Sequence, residues 1–198
     1  IRFEGNGYGD EWVKEAAKRG LNNVKDTPRA LDVWQRDETR KLFTDMEVLS
    51  PGEMNARHEI ELHSYTLKVQ IESRVAGDLA KNHIVPVAIT YQNRLIENVK
   101  GLREVLSAEK AKKATATQLD LIEQISEHIA QIMTMVDEMV EARKKANALE
   151  HAREKAIAYC DEVKPFLDGI RYHADKLELL VDDELWPLPK MRELLFTR

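Results

Sequence analysis

The stretch IEQISEHIAQIMTMVDEM, residues 122–139, contains the pattern that decides the fold. Its apolar residues recur at alternating steps of three and four, the spacing of a helix that packs lengthwise along another helix. The members of this first seam are Ile122, Ile125, Ile129, Ile132, Val136 and Met139. We interpret them, with the nearby Met133 and Met135, as core residues and not as the lining of a cofactor site.

The same alternation returns further along the chain and continues despite Pro165 and Gly169. This second seam comprises Ala152, Ala156, Tyr159, Val163, Phe166, Ile170, His173, Leu177 and Leu180. Upstream, Ser50 and Glu53 flank Pro51 and form a capping box, which predicts a longer helix from Pro51 to about Leu106. Because a proline inside a helix removes a backbone hydrogen bond, this helix is expected to kink near Pro86.

Long helices joined by short connectors must run antiparallel. The predicted fold is therefore mainly α: an elongated antiparallel bundle of three long helices, the first kinked near Pro86, preceded by short helices and connectors. Segment 107–118, SAEKAKKATATQ, is predicted to be a polar connector or a frayed helix start, with Thr117 and Asp120 as a weaker capping pair. The first helix is nearly twice as long as the others, so one end of it is expected either to overhang or to fold back at Pro86. Its overhanging apolar residues, which would need a partner from elsewhere, include Val69, Ile71 and Val75.

Three regions are predicted: short helices and connectors over residues 1–50, the bundle over 51–181, and a tail over 182–198. In the first region, Asp10 is expected to cap a helix from Glu11 to Arg19 that ends at a left-handed Gly20. Two further short helices are predicted, one beginning at Thr27 and Pro28 and one in RDETRKLFTDM, residues 36–46. In the tail, Pro187 and Pro189 stop the last helix, and a short apolar end is expected to dock on another surface. That end consists of Met191, Leu194, Leu195 and Phe196.

Composition excludes several functional classes. The net charge is −5 and no basic face stands out, so neither nucleic acid nor an acidic membrane surface is an expected partner. The single cysteine, Cys160, cannot form an internal disulfide, and no apolar run approaches the length of a membrane span, which together predict a cytoplasmic protein. The sequence starts at Ile1 and not at methionine, which indicates a piece of something longer.

The residues that could carry chemistry have simpler explanations. Gly5, Gly7 and Gly9 precede a helix, but they lack the lysine of a phosphate-binding loop and the buried strand of a dinucleotide loop. We interpret them as a tight turn in which glycine supplies positive φ. His58 and His63 are five residues apart and do not share a helix face as two metal ligands four apart would.

Three further candidates also favour structural roles. His173 occupies a seam position, which is typical of a core histidine with a hydrogen-bond partner, and less often of a pH sensor. Acidic neighbours of Cys160 disfavour the thiolate that a nucleophile needs. Asp182 and Asp183 lie at a helix end, where capping and solvation explain them. The sequence therefore predicts no catalytic, cofactor-binding or metal-binding residue in this chain.

Three long segments carry a resemblance to a known family. They are RFEGNGYGDEWVKEAAKRGL (2–21), QIESRVAGDLAKNHIVPVAITYQNRLIENVKGL (70–102) and KLELLVDDELWPLPKMRELLFTR (176–198). The chain resembles, in order and over its whole length, the C-terminal part of type III glutamine synthetase, the large bacterial form of that enzyme. The likeness is poorest at SAEKAKKATATQ.

The resemblance implies an ATP-dependent ligase that joins ammonia to glutamate through γ-glutamyl phosphate, with magnesium or manganese ions, in a cytoplasmic homododecamer of two stacked rings. The family's metal, glutamate and nucleotide contacts lie in domains that would precede Ile1, so residues 1–50 would be the exit from a missing catalytic domain. The chain alone is expected to be inactive and to bind no cofactor. Its expected partners are that catalytic domain and neighbouring subunits, with a structural role in assembly. The alternative is a free-standing helical coiled-coil interaction module.

Overall fold

The computed structural model describes residues 3–195, and within that range it leaves the side chain of Met191 undescribed. Phe196, a member of the predicted apolar end, lies outside the described residues. Ile1 and Arg2, which precede the glycine-bearing segment, also lie outside them. The chain divides into two compact units between Tyr65 and Thr66. The long helix Pro51–Leu79 contributes residues to both units.

The first unit contains the short helices. They are α1 (Asp10–Lys18), α2 (Thr27–Ala30), a 3₁₀-helix (Leu31–Gln35) and α3 (Asp37–Asp45). Gly20 has a φ of +70°, which confirms the left-handed residue predicted after α1. The predicted cap at Asp10 is wrong, because Gly9 occupies the cap position and Asp10 lies in the first turn. The second helix is capped by Asp26, whose side chain accepts a hydrogen bond of 3.0 Å from the backbone N–H of Arg29.

The capping box at the start of the long helix α4 (Pro51–Leu79) is confirmed. The backbone N–H of Ser50 donates to Glu53 Oε2 at 2.8 Å, and the N–H of Glu53 donates to Ser50 Oγ at 3.3 Å. These bonds from Ser50 lower the pKa of Glu53. Arg40 Nη1 donates to Asn55 Oδ1 at 2.7 Å, which ties α3 to the first turns of α4.

Two prolines inside long helices are each accommodated by a π-helical segment. The segment Ala80–Ile84 precedes α5 (Val85–Val105), whose first turn contains Pro86. Later in the chain, α7 (Ala152–Ala158) passes through a second π-helical segment (Tyr159–Val163) into α8 (Lys164–Leu180), whose first turn contains Pro165. A π-helical turn shifts the backbone hydrogen bonds to a wider ring, so the chain bypasses the N–H that proline lacks.

The second long helix begins earlier than predicted. α6 runs over Ala108–Asn147, so segment 107–118 is helical almost throughout; of the two alternatives predicted for it, the polar connector is wrong and the helix start is confirmed. Thr117 lies inside this helix and does not cap it, which corrects the prediction. The early turns are anchored because Ala111 and Thr115 are buried, and Thr115 Oγ1 donates to the carbonyl of Ala111 at 2.9 Å. Alanine and lysine are good helix formers, and their helix propensity explains why this polar segment is helical.

Side-chain contacts show that α6 runs antiparallel to the helix before it. Gln92 Nε2 on α5 donates to Ser126 Oγ on α6 at 2.6 Å, and Lys81, earlier in the chain, pairs with Asp137, later in the chain. At the end of α6, Tyr159 Oη donates to Asn147 Oδ1 at 2.8 Å, near the turn between α6 and α7. The three long helices of the second unit therefore run up, down and up, as predicted.

Both apolar seams form the core. Ile125, Ile132 and Met139 are fully buried on α6, and Tyr159, Val163 and Leu177 are fully buried on the returning helices. Every other seam residue is buried or half-buried; these are Ile122, Ile129, Val136, Ala152, Ala156, Phe166, Ile170, His173 and Leu180. The mainly α fold is confirmed, and residues 3–195 contain no strand.

The expected overhang of the first helix is only partly correct. Val69 is 4% exposed, so it already has partners within the chain. Ile71 and Val75 are 53% and 51% exposed. The difference follows from helical geometry, because residues two and six positions after Val69 point away from its buried face.

Replacement of a seam residue should destabilise the bundle much more than replacement of its neighbour in sequence. Ile132→Ala leaves a cavity at a fully buried position, and we expect it to lower the free energy of unfolding by about 2–5 kcal/mol. Met133 is 36% exposed, so its prediction as a core residue is wrong, and Met133→Ala is the matched control, which should cost about 1 kcal/mol or less. Urea unfolding followed by circular dichroism measures both. Equal losses would contradict the seam.

Candidate functional site

The glycine-bearing segment forms a turn. The backbone N–H of Gly9 donates to the carbonyl of Asn6 at 3.0 Å, and Asn6 Oδ1 accepts from the N–H of Tyr8 at 3.0 Å. The prediction of a turn is confirmed, but the prediction that these glycines supply positive φ is wrong, because Gly20 is the one glycine with positive φ in the described chain. Gly5 has a steric reason instead, since a Cβ there would lie 2.7 Å from Cζ of Phe3.

His58 and His63 have different environments and do not form a site together. His58 is buried, and its Nε2 has no hydrogen-bond partner among the described residues. His63 is exposed and lies 3.7 Å from a carboxylate oxygen of Glu59, one helical turn away. No group of three or more side chains able to hold a metal ion occurs within residues 3–195.

His173 has a partner that the sequence did not predict. Its Nδ1 lies 2.9 Å from Nδ1 of His128 on α6, and the two half-buried rings have centroids 5.2 Å apart. One nitrogen must donate and the other accept, so the pair is compatible with neutral rings. Desolvation, followed by the charge of His128, lowers the pKa of His173, and Glu127 opposes them. The prediction of a core histidine with a hydrogen-bond partner is confirmed.

The end of α8 is closed by Lys190. Its Nζ donates to the carbonyl oxygens of Glu178 at 2.8 Å and Val181 at 3.3 Å, which supplies partners to the last turn of the helix. Lys190 is only 9% exposed and lies 5.9 Å from the ring centroid of Trp186. The same ammonium group pairs with Asp183. A lysine that satisfies two carbonyls and one carboxylate uses all three of its donors.

The two acidic residues after α8 therefore have distinct structural roles. Asp183 also pairs with Arg192, and hydrogen bonds from Lys190 and then Arg192 lower the pKa of Asp183. Asp182 Oδ1 accepts from the backbone N–H of Glu184 at 3.0 Å, and its other oxygen lies 3.5 Å from Arg94 on α5. These contacts fasten the segment after α8 to the bundle. Cys160 lies half-buried in the second π-helical segment.

An apolar pocket of about 410 Å³ lies beneath this fastened segment. Its lining comes from the end of α4, the first π-helical segment, α8 and the segment after it. The apolar members include Ala76, Ala80, Ile84, Ile170, Ala174, Trp186, Leu188 and Leu194. The indole Nε1 of Trp186 is buried and has no partner among the described residues. Apolar side chains on both walls explain why residues after Leu180 pack against the bundle. No helix within residues 3–195 has the length and apolarity needed to cross a membrane.

Sequence reasoning missed the roles of His128 and Lys190. His128 lies beside the seam residues Ile125 and Ile129, so its position on a helix edge could have indicated a cross-helix contact. The role of Lys190 was weakly indicated by its position, because a cation shortly after a helix end often binds the free carbonyl oxygens of the last helical turn. No spacing rule identifies which residue on another helix lies opposite.

Comparison with known proteins gives a consistent family. The model of the glutamine synthetase C-terminal domain matches residues 1–103. A glutamine synthetase of Bacteroides fragilis is 50% identical over 198 residues, which is all of this chain and 27% of that protein. A type-3 glutamine synthetase of Dictyostelium discoideum is 30% identical over 205 residues, again all of this chain and 27% of that protein.

A glutamine synthetase of Butyrivibrio fibrisolvens is also 30% identical over 197 residues, which is 28% of its length. The chain thus spans about a quarter of the length of the curated relatives it matches. The matches agree with the resemblance carried by the three long segments quoted above.

Loss of the Asp183 carboxylate should loosen the segment after α8. In Asp183→Asn the ion pairs with Lys190 and Arg192 are lost, and we expect amide hydrogen exchange over residues 182–195 to accelerate by about two- to fivefold. Glu184→Gln is the matched control, because the exposed carboxylate of Glu184 makes no hydrogen bond or ion pair within the described chain. Equal exchange in both variants would show that Asp183 does not fasten the segment.

The histidine pair should make stability depend on pH. The pKa of His173 is lowered from 6.5 in the folded protein, so its neutral form contributes stability that is present above pH 6.5 and lost as the pH falls through the lowered value. His173→Gln should flatten the fall in the free energy of unfolding between neutral and mildly acidic pH. The control is His63→Gln, which removes an exposed histidine and should leave the slope unchanged. Urea unfolding at a series of pH values measures this, and identical slopes for wild type and His173→Gln would contradict it.

Proposed function

Because the chain belongs to the family of glutamine synthetase C-terminal domains, we propose that it is the helical C-terminal portion of a type III enzyme. The longer protein would ligate ammonia to glutamate at the expense of ATP, through γ-glutamyl phosphate. The family match over residues 1–103 and the relative named as a type-3 enzyme support this proposal. The relatives are about four times longer than this chain, which leaves room for a catalytic domain in the complete protein.

The chain itself has a non-catalytic role in this proposal. ATP and magnesium or manganese would bind in the part of the enzyme that lies outside this sequence. Within residues 3–195 the donor set for such a metal does not fit, because no three side chains of the required type gather. The glycines before α1 lie in a turn held by Asn6 and Tyr8 and do not begin a phosphate-binding loop after a strand.

An exposed apolar stripe on α4 carries the assembly role. Leu67, Ile71 and Val75 follow one another at steps of four residues and are 55%, 53% and 51% exposed. Residues spaced in this way share one face of a helix. The opposite face of α4, which includes Thr66, Val69 and Ser73, is buried. Large apolar patches on a soluble protein mark interaction surfaces.

We infer that this stripe contacts the catalytic domain of the same polypeptide or a neighbouring subunit. The complete protein would be a cytoplasmic homododecamer, and burial of the stripe would stabilise the contact. Because a symmetric oligomer repeats each contact in every subunit, a small stabilising free energy from each stripe is multiplied by the number of subunits. Mixed surface charge and a net charge of −5 favour protein partners over nucleic acid or membranes.

The experiment uses the full-length protein and a charge placed in the stripe. Ile71→Asp should retain the fold, because the side chain is exposed, but should weaken each contact by about tenfold or more through lost apolar burial and a desolvated charge. Analytical ultracentrifugation should then show smaller species than wild type. Val105→Asp is the matched control, since Val105 is 83% exposed at the end of α5. A wild-type sedimentation profile for Ile71→Asp would overturn the assembly role.

A further inference from the structure

A cleft of about 260 Å³ lies between α4 and α6 in the second unit. Its walls are formed by polar side chains around an apolar floor. The lining residues that matter are Arg74, Gly77, Lys81, Val136, Met139 and Arg143. The cleft belongs neither to the apolar pocket beneath the segment after α8 nor to the exposed stripe of α4.

Two arginines in this cleft lack partners. Nε of Arg143 is buried and has no hydrogen-bond partner among residues 3–195. Arg74 lines the cleft from an exposed position and makes no hydrogen bond or ion pair within the same described range. The antiparallel register brings these residues to the same level, because Gly77, one turn beyond Arg74, faces Val136 and Met139, one turn before Arg143. The lining of the cleft therefore carries three cations, Arg74, Lys81 and Arg143, and one carboxylate, Asp78.

Nearby carboxylates are already engaged. Asp78 lies one turn after Arg74 but accepts a hydrogen bond from Nδ2 of Asn82. Asp137 pairs with Lys81, and Glu141 pairs with Lys144 at 2.7 Å. Asp137 and Glu141 are therefore paired with lysines, and Asp78, which keeps its charge beside the neutral amide of Asn82, makes no ion pair with either arginine within the described residues.

The surroundings of Arg143 raise the cost of leaving it unpaired. The floor of the cleft is apolar, since Val136 and Met139 are almost fully buried. Gly77 lets the helices approach closely here, and a Cβ at this position would lie 3.3 Å from Cγ1 of Val136. Arg143 as a whole is half-buried, but its buried Nε lacks an acceptor, which is costly and requires an explanation such as a bound water or ion.

We propose that this cleft is a binding site for a phosphate-class oxyanion, held by the guanidinium groups of Arg74 and Arg143. A tetrahedral oxyanion has acceptor oxygens on several sides and can receive hydrogen bonds from arginines on two different helices, whereas a carboxylate presents its acceptors in one plane. The cleft is wider than a phosphate ion, so a phosphoryl group attached to a larger molecule also fits. Occupancy would tie α4 to α6 beside the core.

The experiment is hydrogen exchange of the full-length protein, titrated with inorganic phosphate. Peptides that contain Arg74 and Arg143 should become protected as phosphate is added, while potassium chloride at equal ionic strength should leave them unchanged. Arg143→Gln and Arg74→Gln should each raise the phosphate concentration needed for half-maximal protection by about tenfold. Local protection at these peptides is read separately from phosphate bound at a catalytic centre elsewhere in the enzyme.

The matched control is Lys145→Gln, which removes one positive charge two positions along α6 at an exposed residue outside the lining of the cleft. It should respond to phosphate as wild type does. Equal protection by chloride, protection that survives both arginine substitutions, or no response of the wild type to phosphate would each overturn the proposal. Peptides that are protected without phosphate and lose protection in Arg143→Gln would identify a carboxylate from elsewhere in the protein as the occupant, and would also overturn it.

Two sources of the phosphoryl group are separated by a second titration with adenosine monophosphate. Half-maximal protection at a lower concentration of the nucleotide than of inorganic phosphate would assign the site to phosphorylated organic molecules. Equal or weaker protection by the nucleotide would assign it to free phosphate. Either result supports the oxyanion site, provided that Arg143→Gln weakens it.

Discussion

The lengthwise packing of α6 between two antiparallel neighbours is the constraint on which the rest of the second unit depends. Ile125, Ile132 and Met139 are fully buried along one helix, and close packing at these positions allows little sliding. A fixed register then decides which polar side chains meet across the helices. His128 faces His173 and Gln92 reaches Ser126 because the apolar residues between them leave one alignment.

The π-helical segments preserve this packing where proline would otherwise interrupt it. Each one ends directly before a helix that has proline in its first turn, and each places its terminal residues in the core. Ala80 and Ile84 are buried in the first segment, and Tyr159 and Val163 in the second. Local rearrangement of backbone hydrogen bonds therefore accommodates the prolines, while the apolar side chains keep their partners on the adjacent helix.

The spacing of apolar residues predicted the bundle, because this spacing shows that each helix has one continuous apolar face to pack against a neighbour. The capping box at Ser50 and the left-handed Gly20 were also predictable, because both arise from contacts within a few residues. The start of α6 could not be predicted, because the polar composition around Thr115 favours a connector whereas its alanines and lysines favour a helix. The pairing of His128 and the unpaired state of Arg143 lay beyond prediction, because a single sequence does not define which residues of another helix lie opposite.

The polar surface of α4 and α6 differs from an ordinary solvated helix face in how its charges are distributed. On α6, for example, Lys144 and Glu141 pair one turn apart and both are exposed, and such pairs add little stability. Arg143 breaks this pattern because its Nε is inside the surface and without an acceptor. Through burial of this Nε, Arg143 has a desolvation cost that an apolar side chain of similar size would not have. Its presence is therefore better explained by a ligand that supplies the missing negative charge than by the stability of the helices it joins.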